Sequence, residues 1–338
     1  MEQKHSSIKR ITHRISEELD ATRRIAKVTS WKEAFITLQA KFDIQVMNHN
    51  RYQESEKQKK HLLKKHEVML KYYEKTFADF LKMYDYNHEN QELLKSDYAD
   101  CIWICWWQGL EQAPEIVKVC VESIKRNAGK HPVILITEEN YREYVDIPQW
   151  VEEKKNKGII TRTNYSDLLR LSLLAKHGGM WLDATLYCAK PIPDEYFNMP
   201  IWSIKRPNYA HASVACGAFA GYSLACNENS RWMFATIRDF FLNYWENNDT
   251  MVDYLMVDYM IALAQKKDKR ILEAFDTIPS NNPLCDELIN NLNNVYHEEL
   301  WKKLKKDTLL FKLTWKQFFE RQKDESPTFY EKLCGNIL

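Results

Sequence analysis

From Met1 to Lys95 the chain contains neither glycine nor proline, the two residues that most readily interrupt regular backbone. Charged runs alternate there with apolar residues at helical spacing. Ile8, Ile11, Ile15 and Leu19 form one stripe, and Phe77, Phe80, Leu81 and Tyr84 belong to another. A set of helices is expected over this region. Asn48 to Lys60 is too polar for core and reads as a turn or a solvated helical segment.

The pattern changes at Ala99. The run CIWICWW, rich in aromatic and β-branched residues, reads as a buried strand. Pro114 opens a helical pattern that runs to Ala128, since a proline in the first turn removes only an N–H that would be unpaired anyway. His131 to Thr137 (HPVILIT) reads as a second buried strand, and strand, helix, strand at this spacing is a βαβ unit of a parallel sheet. A short strand is expected at Ile159 to Arg162. A strong helix follows from Asn164 or Ser166 to His177, stopped by Gly178 and Gly179. Met180 to Cys188 (MWLDATLYC) reads as one strand, with further strands at Ile201 to Lys205 and Ala218 to Tyr222. From Asn227 onward the pattern returns to helix. The fold class is α/β, in three parts: a helical region 1–97, a catalytic domain 98–270, and C-terminal helices 271–338 that close over a ligand.

Composition excludes several classes. A formal net charge of +1 argues against a dedicated nucleic-acid binder. The charge is uneven, with 19 Lys or Arg against 14 Asp or Glu in residues 1–95 and 29 against 33 in the rest. Eight dispersed cysteines without a CxxC pair favour reduced core thiols over a zinc site or a disulfide framework. The start, MEQKHSSIKR, has no apolar run after its charges and does not read as a signal peptide. No apolar run approaches the length of about 18 residues that marks a membrane-spanning helix. A cytoplasmic protein is expected, at the inner face of the membrane if its acceptor is lipid-linked.

The chemistry concentrates in Tyr165 to Pro191, YSDLLRLSLLAKHGGMWLDATLYCAKP. Ser166 suits a helix cap, and Asp167 and Arg170, at i and i+3, share one face of the helix. Gly178 and Gly179 permit a tight reversal with close backbone approach. The following strand then carries Asp183 to the carboxyl end of the sheet, where open α/β sheets bind ligands. Two carboxylates and a guanidinium in one place suit a sugar with a diphosphate: carboxylates accept from hydroxyls, guanidinium donates, and a hard divalent cation takes oxygen ligands.

At these residues the chain resembles a known family. Ser166, Asp167, Arg170, Gly178, Gly179, Trp181 and Asp183 match the S-D-x-x-R…G-G-x-[aromatic]-x-D-x-D pattern of DxD-motif sugar transferases. That group includes capsular polysaccharide synthesis proteins, yeast mannosyltransferases and the glucosylating clostridial toxins. The form GGMWLDAT looks most like the bacterial capsular branch, and IWICWWQG at Ile102 to Gly109 resembles the first strand of the same domain. The resemblance spans 98–270. It implies a GT-A fold with a Rossmann-like mixed sheet, a nucleotide-sugar donor (usually a UDP-sugar), Mn²⁺ or Mg²⁺, and hexosyl transfer with retention to a hydroxyl of a growing glycan. By position, it implies that Asp167 and Arg170 contact the donor sugar, that Asp183 lies nearest the metal and ribose, and that Trp106 lies against the base, with Gln108 in the adjoining loop. The second aspartate of the pattern is Thr185 here, so Asp183 and Thr185 are the metal candidates, and a hydroxyl is the weaker ligand.

Outside that block, Asp253 and Asp258 interrupt the apolar run MVDYLMVDYMIALA, where an aspartate is costly unless paired. Asp258 is a candidate catalytic or acceptor-binding carboxylate. In FKLTWK, Lys312, Thr314 and Lys316 alternate, and in an extended segment they would share a face and cover the diphosphate. The basic residues around the Ile8 to Leu19 stripe leave two readings: docking on an anionic membrane, or protein packing, including a homo-oligomer through the N-terminal helices. Two other classes stand beside the transferase. A nucleotidyltransferase would want a glycine-rich loop after the first strand, and Trp106 to Ala113 holds only Gly109. A noncatalytic scaffold would have lost metal binding through Thr185.

Overall fold

A computed structural model describes residues 2–49, 53–87 and 95–335, apart from the side chains of residues 2–14 and 49. Four helices come first: α1 (Glu2–Val28), α2 (Trp31–His49), α3 (Glu56–Thr76) and α4 (Ala78–Met83). Ser55 starts α3 with a capping box, its hydroxyl accepting from the Gln58 N–H while the Gln58 side chain accepts from the Ser55 N–H. The side chains of Ile8 and Ile11 lie outside the described residues. Ile15 and Leu19, which complete their stripe, are about half exposed, at 55% and 47%.

The chain then builds a five-stranded sheet. Strand β1 (Ile102–Cys105) leads through α5 (Glu115–Asn127) to β2 (Val133–Ile136), its parallel neighbour. Helices α6 (Tyr141–Tyr144), α7 (Gln149–Asn156) and α8 (Arg162–His177) lead to β3 (Gly179–Leu182), parallel to β1 on its other side. After β4 (Leu186–Cys188), α9 (Glu195–Asn198) and β5 (Trp202–Ser203), the strand β6 (Ser223–Cys226) pairs antiparallel with both β3 and β5. Helices α10 (Arg231–Asn247), α11 (Met256–Lys267), α12 (Lys269–Asp276), α13 (Leu288–Asn291) and α14 (Glu298–Lys305) follow. Strand β7 (Leu310–Lys312), the hairpin of β8 (Gln322–Lys323) and β9 (Ser326–Pro327), and α15 (Phe329–Cys334) complete the chain. The α/β class, the mixed sheet and the helical flanks agree with the sequence reading.

Strand periodicity divides the interior into two cores. Trp103, Trp181 and Leu224 point to one side, where α8, α10 and α11 pack. Ile102, Ile104, Met180, Leu182 and Ala225 point to the other, against α5 and the C-terminal elements. The N-terminal helices join the first core, since Ile25, Val68, Met69, Tyr73 and Phe77 lie in one apolar cluster with Phe240, Tyr244 and Tyr259. Polar bonds reinforce that junction. Lys65 of α3 and Asp253 form an ion pair at 2.8 Å with side chains only 1% and 3% exposed. His66 Nε2 donates to the His211 carbonyl at 2.8 Å, which leaves Nδ1 to accept from the Tyr259 hydroxyl at 2.8 Å.

Local corrections have local causes. The expected strand at Ile159 to Arg162 is instead the approach to α8: Thr161 is its cap, accepting from the Asn164 N–H, so Ser166 lies inside the helix. Met180 to Cys188 is two strands in two sheets, because a turn closed by Leu186 N–H to the Asp183 carbonyl at 2.9 Å redirects the chain. Strand β4 then pairs antiparallel with β7. Gly178 and Gly179 both have positive φ, 78° and 81°. A Cβ on Gly179 would sit 2.4 Å from the Cys101 carbonyl, so the start of β1 demands glycine there.

Candidate active site

Because β1 and β3 are parallel and β6 is antiparallel, one edge of the sheet collects the carboxyl ends of β1 and β3 and the amino end of β6. Asp183 follows β3 there, its N–H donating to the Tyr222 carbonyl at 3.0 Å. Helix α8 delivers Asp167 and Arg170 to the same place. Arg170 Nη2 lies 3.1 Å from Asp167 Oδ1 and 3.7 Å from Asp183 Oδ1, and its Nη1 donates to the Gly221 carbonyl. The Trp181 indole donates to Asp183 Oδ1 at 3.0 Å and carries the Arg170 guanidinium over its ring at 5.3 Å. Arg170 Nε is buried without an acceptor.

Lys312 enters from β7. Its ammonium donates to Asp183 Oδ2 at 2.7 Å and to Thr185 Oγ1 at 2.9 Å, and lies 4.6 Å from the centre of the Tyr222 ring. Asp258, in the first turn of α11, completes the group. A Cβ placed on Gly221 would be 2.8 Å from Asp258 Oδ1 and 3.5 Å from Arg170 Nη1. Glycine leaves room at that point for both the Asp258 carboxylate and the Arg170 guanidinium.

The charges separate the three aspartates. Burial raises the Asp167 carboxyl to about 6, and Arg170 only partly offsets it. Burial and the neighbouring Asp167 raise Asp258 to about 7. Burial would raise Asp183 too, but Lys312 and Arg170 outweigh it and hold the group below the usual carboxylate range. One carboxylate is thus firmly ionised beside two that exchange protons near neutrality.

Of the residues singled out in the sequence, Asp167, Arg170, Trp181, Asp183, Thr185, Asp258 and Lys312 meet here. Ser166 does not turn toward them: its hydroxyl accepts from the Trp107 indole at 2.7 Å and donates to the Arg162 carbonyl at 2.9 Å, pinning the segment after β1 to α8. Trp106 stands half-buried at the same sheet edge, edge-on to Trp315 at 5.9 Å, while Gln108 is exposed. Lys316 is also exposed, since β7 ends at Lys312 and the chain bends at 315–317, which removes the shared face expected with Lys312 and Thr314. Gly221 and Tyr222 were not marked by any sequence motif.

The sequence pattern of capsular polysaccharide synthesis proteins matches residues 48–333. The chain belongs to that family. Among solved structures, this family member is similar to a PaToxG glycosyltransferase, 15% identical with a TM-score of 0.36, over 62% of this chain and 83% of that one. It is also similar to the WbbM bifunctional glycosyltransferase in its apo form, 10% identical with a TM-score of 0.40, over 72% of this chain and 50% of that one. No curated protein matches it in sequence.

The donor set of this capsular polysaccharide synthesis protein can be tested against a divalent ion. Mg²⁺ or Mn²⁺ asks for about six ligands, mostly oxygen. Here Asp183 Oδ1 accepts from Trp181 and faces Arg170, while Asp183 Oδ2 and Thr185 Oγ1 both accept from Lys312. Among the described residues no group of three or more His, Cys, Asp or Glu is arranged to hold a metal ion. The residues around Asp183 do not fit the cation that the DxD pattern implies.

Proposed function

We propose that the protein is a glycosyltransferase that moves a hexose from a nucleotide sugar, most simply a UDP-sugar, to a hydroxyl of a growing capsular glycan with retention of configuration. The observation that carries this reading is the sharing of Asp183 by two cations, Arg170 and Lys312, at the ligand-binding edge of the sheet. A leaving nucleoside diphosphate develops negative charge, and fixed cations in a partly dry site stabilise that charge more in the transition state than in the ground state. Family membership supports the same biosynthetic setting.

Each residue has a role in this reading. Arg170 offers its unpaired Nε and its planar fork to the donor. Asp167 accepts from a sugar hydroxyl, and the Trp106 indole lies against the base. Asp258, near its midpoint at neutral pH, binds an acceptor or sugar hydroxyl as donor or acceptor of a hydrogen bond. The bond from the anomeric carbon to the diphosphate oxygen breaks, the acceptor oxygen attaches on the same face, and its proton leaves with the diphosphate. No described helix is long and apolar enough to cross a membrane; a lipid-linked acceptor would meet the protein at the cytoplasmic face.

A panel of UDP- and GDP-sugars tests the proposal. Slow donor hydrolysis supports a transferase, release of pyrophosphate would instead indicate a nucleotidyltransferase, and silence with every donor would indicate a scaffold.

A further inference from the structure

The position of Lys312 carries a consequence for how a diphosphate is held. Its backbone is fixed on both sides: Lys312 pairs with Leu186 across the β4–β7 ladder, its N–H donates to the Cys285 carbonyl at 2.9 Å, and the Leu313 N–H donates to the Thr185 carbonyl at 2.9 Å. The side chain then bridges the first and third positions of the Asp183-Ala184-Thr185 triplet, at 2.7 Å and 2.9 Å. Those are the two positions whose side chains would ligate a metal in a DxD triplet.

The charge balance is the same either way. Two aspartates with one divalent cation sum to zero, and one aspartate, one threonine and one ammonium also sum to zero. Losing the second carboxylate therefore matches gaining a monovalent cation in place of a divalent one. Adding a divalent ion beside Asp183 would set it against the Lys312 ammonium already bonded to that carboxylate and against the Arg170 guanidinium 3.7 Å away.

Resting on the nucleotide-sugar reading above, we propose that the Lys312 ammonium is the resident counter-ion of the donor diphosphate, so that this protein binds and uses its donor without a divalent metal. Lysine presents a compact point charge with three donors, enough to hold Asp183 and Thr185 and still reach one phosphate oxygen. The transferred group leaves from a diphosphate whose developing charge the ammonium and the Arg170 guanidinium stabilise together.

The test is calorimetric titration of the intact protein with UDP and with GDP, in EDTA and in Mn²⁺, read beside donor hydrolysis. Nucleotide affinity and hydrolysis are expected to agree within about twofold in the two conditions. Lys312→Met should weaken nucleotide binding at least tenfold in EDTA, and Lys312→Arg should restore most of it. Because Lys312 is part of a ladder, the melting temperature of each variant is measured to show that it folds. A gain-of-function arm adds Thr185→Asp to Lys312→Met, which restores the acidic pair and should make nucleotide binding depend on Mn²⁺. Wild-type binding that requires Mn²⁺ by tenfold or more would overturn the lysine inference and leave the transferase reading standing. Absence of binding by either nucleotide in both conditions would overturn both.

Discussion

Replacing Lys65 by methionine removes a charge from the most deeply buried ion pair that joins the N-terminal helices to the rest of the protein among the described residues. Lys65 Nζ and Asp253 Oδ2 are 2.8 Å apart, with side chains 1% and 3% exposed. At an effective dielectric constant near 20, that separation corresponds to an attraction of about 6 kcal/mol, and desolvation of the two ions removes much of it. The net worth of the intact pair is therefore small, yet breaking it is costly because Asp253 is left charged and dry. Loss of one partner in such a pair typically costs about 3–5 kcal/mol. Lys41, whose ammonium already donates to the Val252 carbonyl at 2.7 Å, softens the loss by its proximity, so the lower end is expected, about 3 kcal/mol. Asp253→Asn in the same chain should recover most of the loss, because the asparagine Oδ1 keeps accepting from the Leu255 N–H, now 3.0 Å from the aspartate. Urea unfolding followed by circular dichroism and by tryptophan fluorescence gives the free energies, provided the two transitions coincide. A Lys65→Met loss below about 1 kcal/mol, or a double variant no more stable than the single one, would refute the account of a dry, uncompensated carboxylate. The pair also fixes a pH dependence. The Asp253 carboxyl is depressed in the folded state, because Lys65 and Lys41 outweigh its burial. Its contribution is thus present above the unfolded value near 4 and is lost as pH falls through the folded one.

Three further outcomes follow from the site. Asp183→Ala should lower donor turnover by roughly 10²- to 10³-fold with secondary structure retained, and activity within about threefold of wild type in a hydrolysis assay would remove Asp183 from the chemistry. Arg170→Lys should reduce turnover sharply, since the guanidinium reaches Asp167 and the Gly221 carbonyl from two separate nitrogens in a rigid plane, a spread that a single ammonium nitrogen does not reproduce, and unchanged kinetics would make Arg170 a purely structural ion-pair residue. Asp258 is raised to about 7 in the folded protein, so the folded state holds its proton longer than the unfolded one and stability falls as pH rises from about 4 through 7. Asp258→Asn should therefore lose about 1–3 kcal/mol less than wild type between pH 5 and pH 8, and parallel stability curves would show that Asp258 is ionised normally.

The parts legible in the sequence are those written in neighbouring residues. The βαβ unit, the helix with Asp167 and Arg170 on one face, the glycine reversal and the strand-end Asp183 all follow from periodicity and turn chemistry within each element and its immediate neighbours, the range on which such signals act. What was missed depends on chain distant in sequence. The run Met180 to Cys188 holds no glycine or proline to mark a turn, and its division into β3 and β4 depends on β7 arriving as a partner for Leu186 to Cys188. The same arrival places Lys312 against Asp183, so neither feature is visible in the DAT triplet itself. Ser166 reads as a cap in the sequence, but the helix begins at Arg162 with Thr161 as its cap, and the Ser166 hydroxyl instead accepts from the indole of Trp107, far away in sequence. The cost of an aspartate at 253 signals the need for a partner but does not identify Lys65 on another helix.

Gly221 gives the site a property that no side chain does. In a saturation screen for capsule production, substitutions there would cluster with those at Asp183 and Arg170, although Gly221 contributes no reactive atom beyond its carbonyl. The smallest addition, a methyl group, already falls 2.8 Å from Asp258 Oδ1. Selection at this position would measure volume: each added side chain meets the end of the Asp258 side chain and must displace that carboxylate, with little regard to its own charge or polarity. At Asp183, by contrast, the pattern of tolerated substitutions would follow charge. Genetic tolerance profiles would therefore distinguish, within one cluster, the residue that makes room from the residues that fill it.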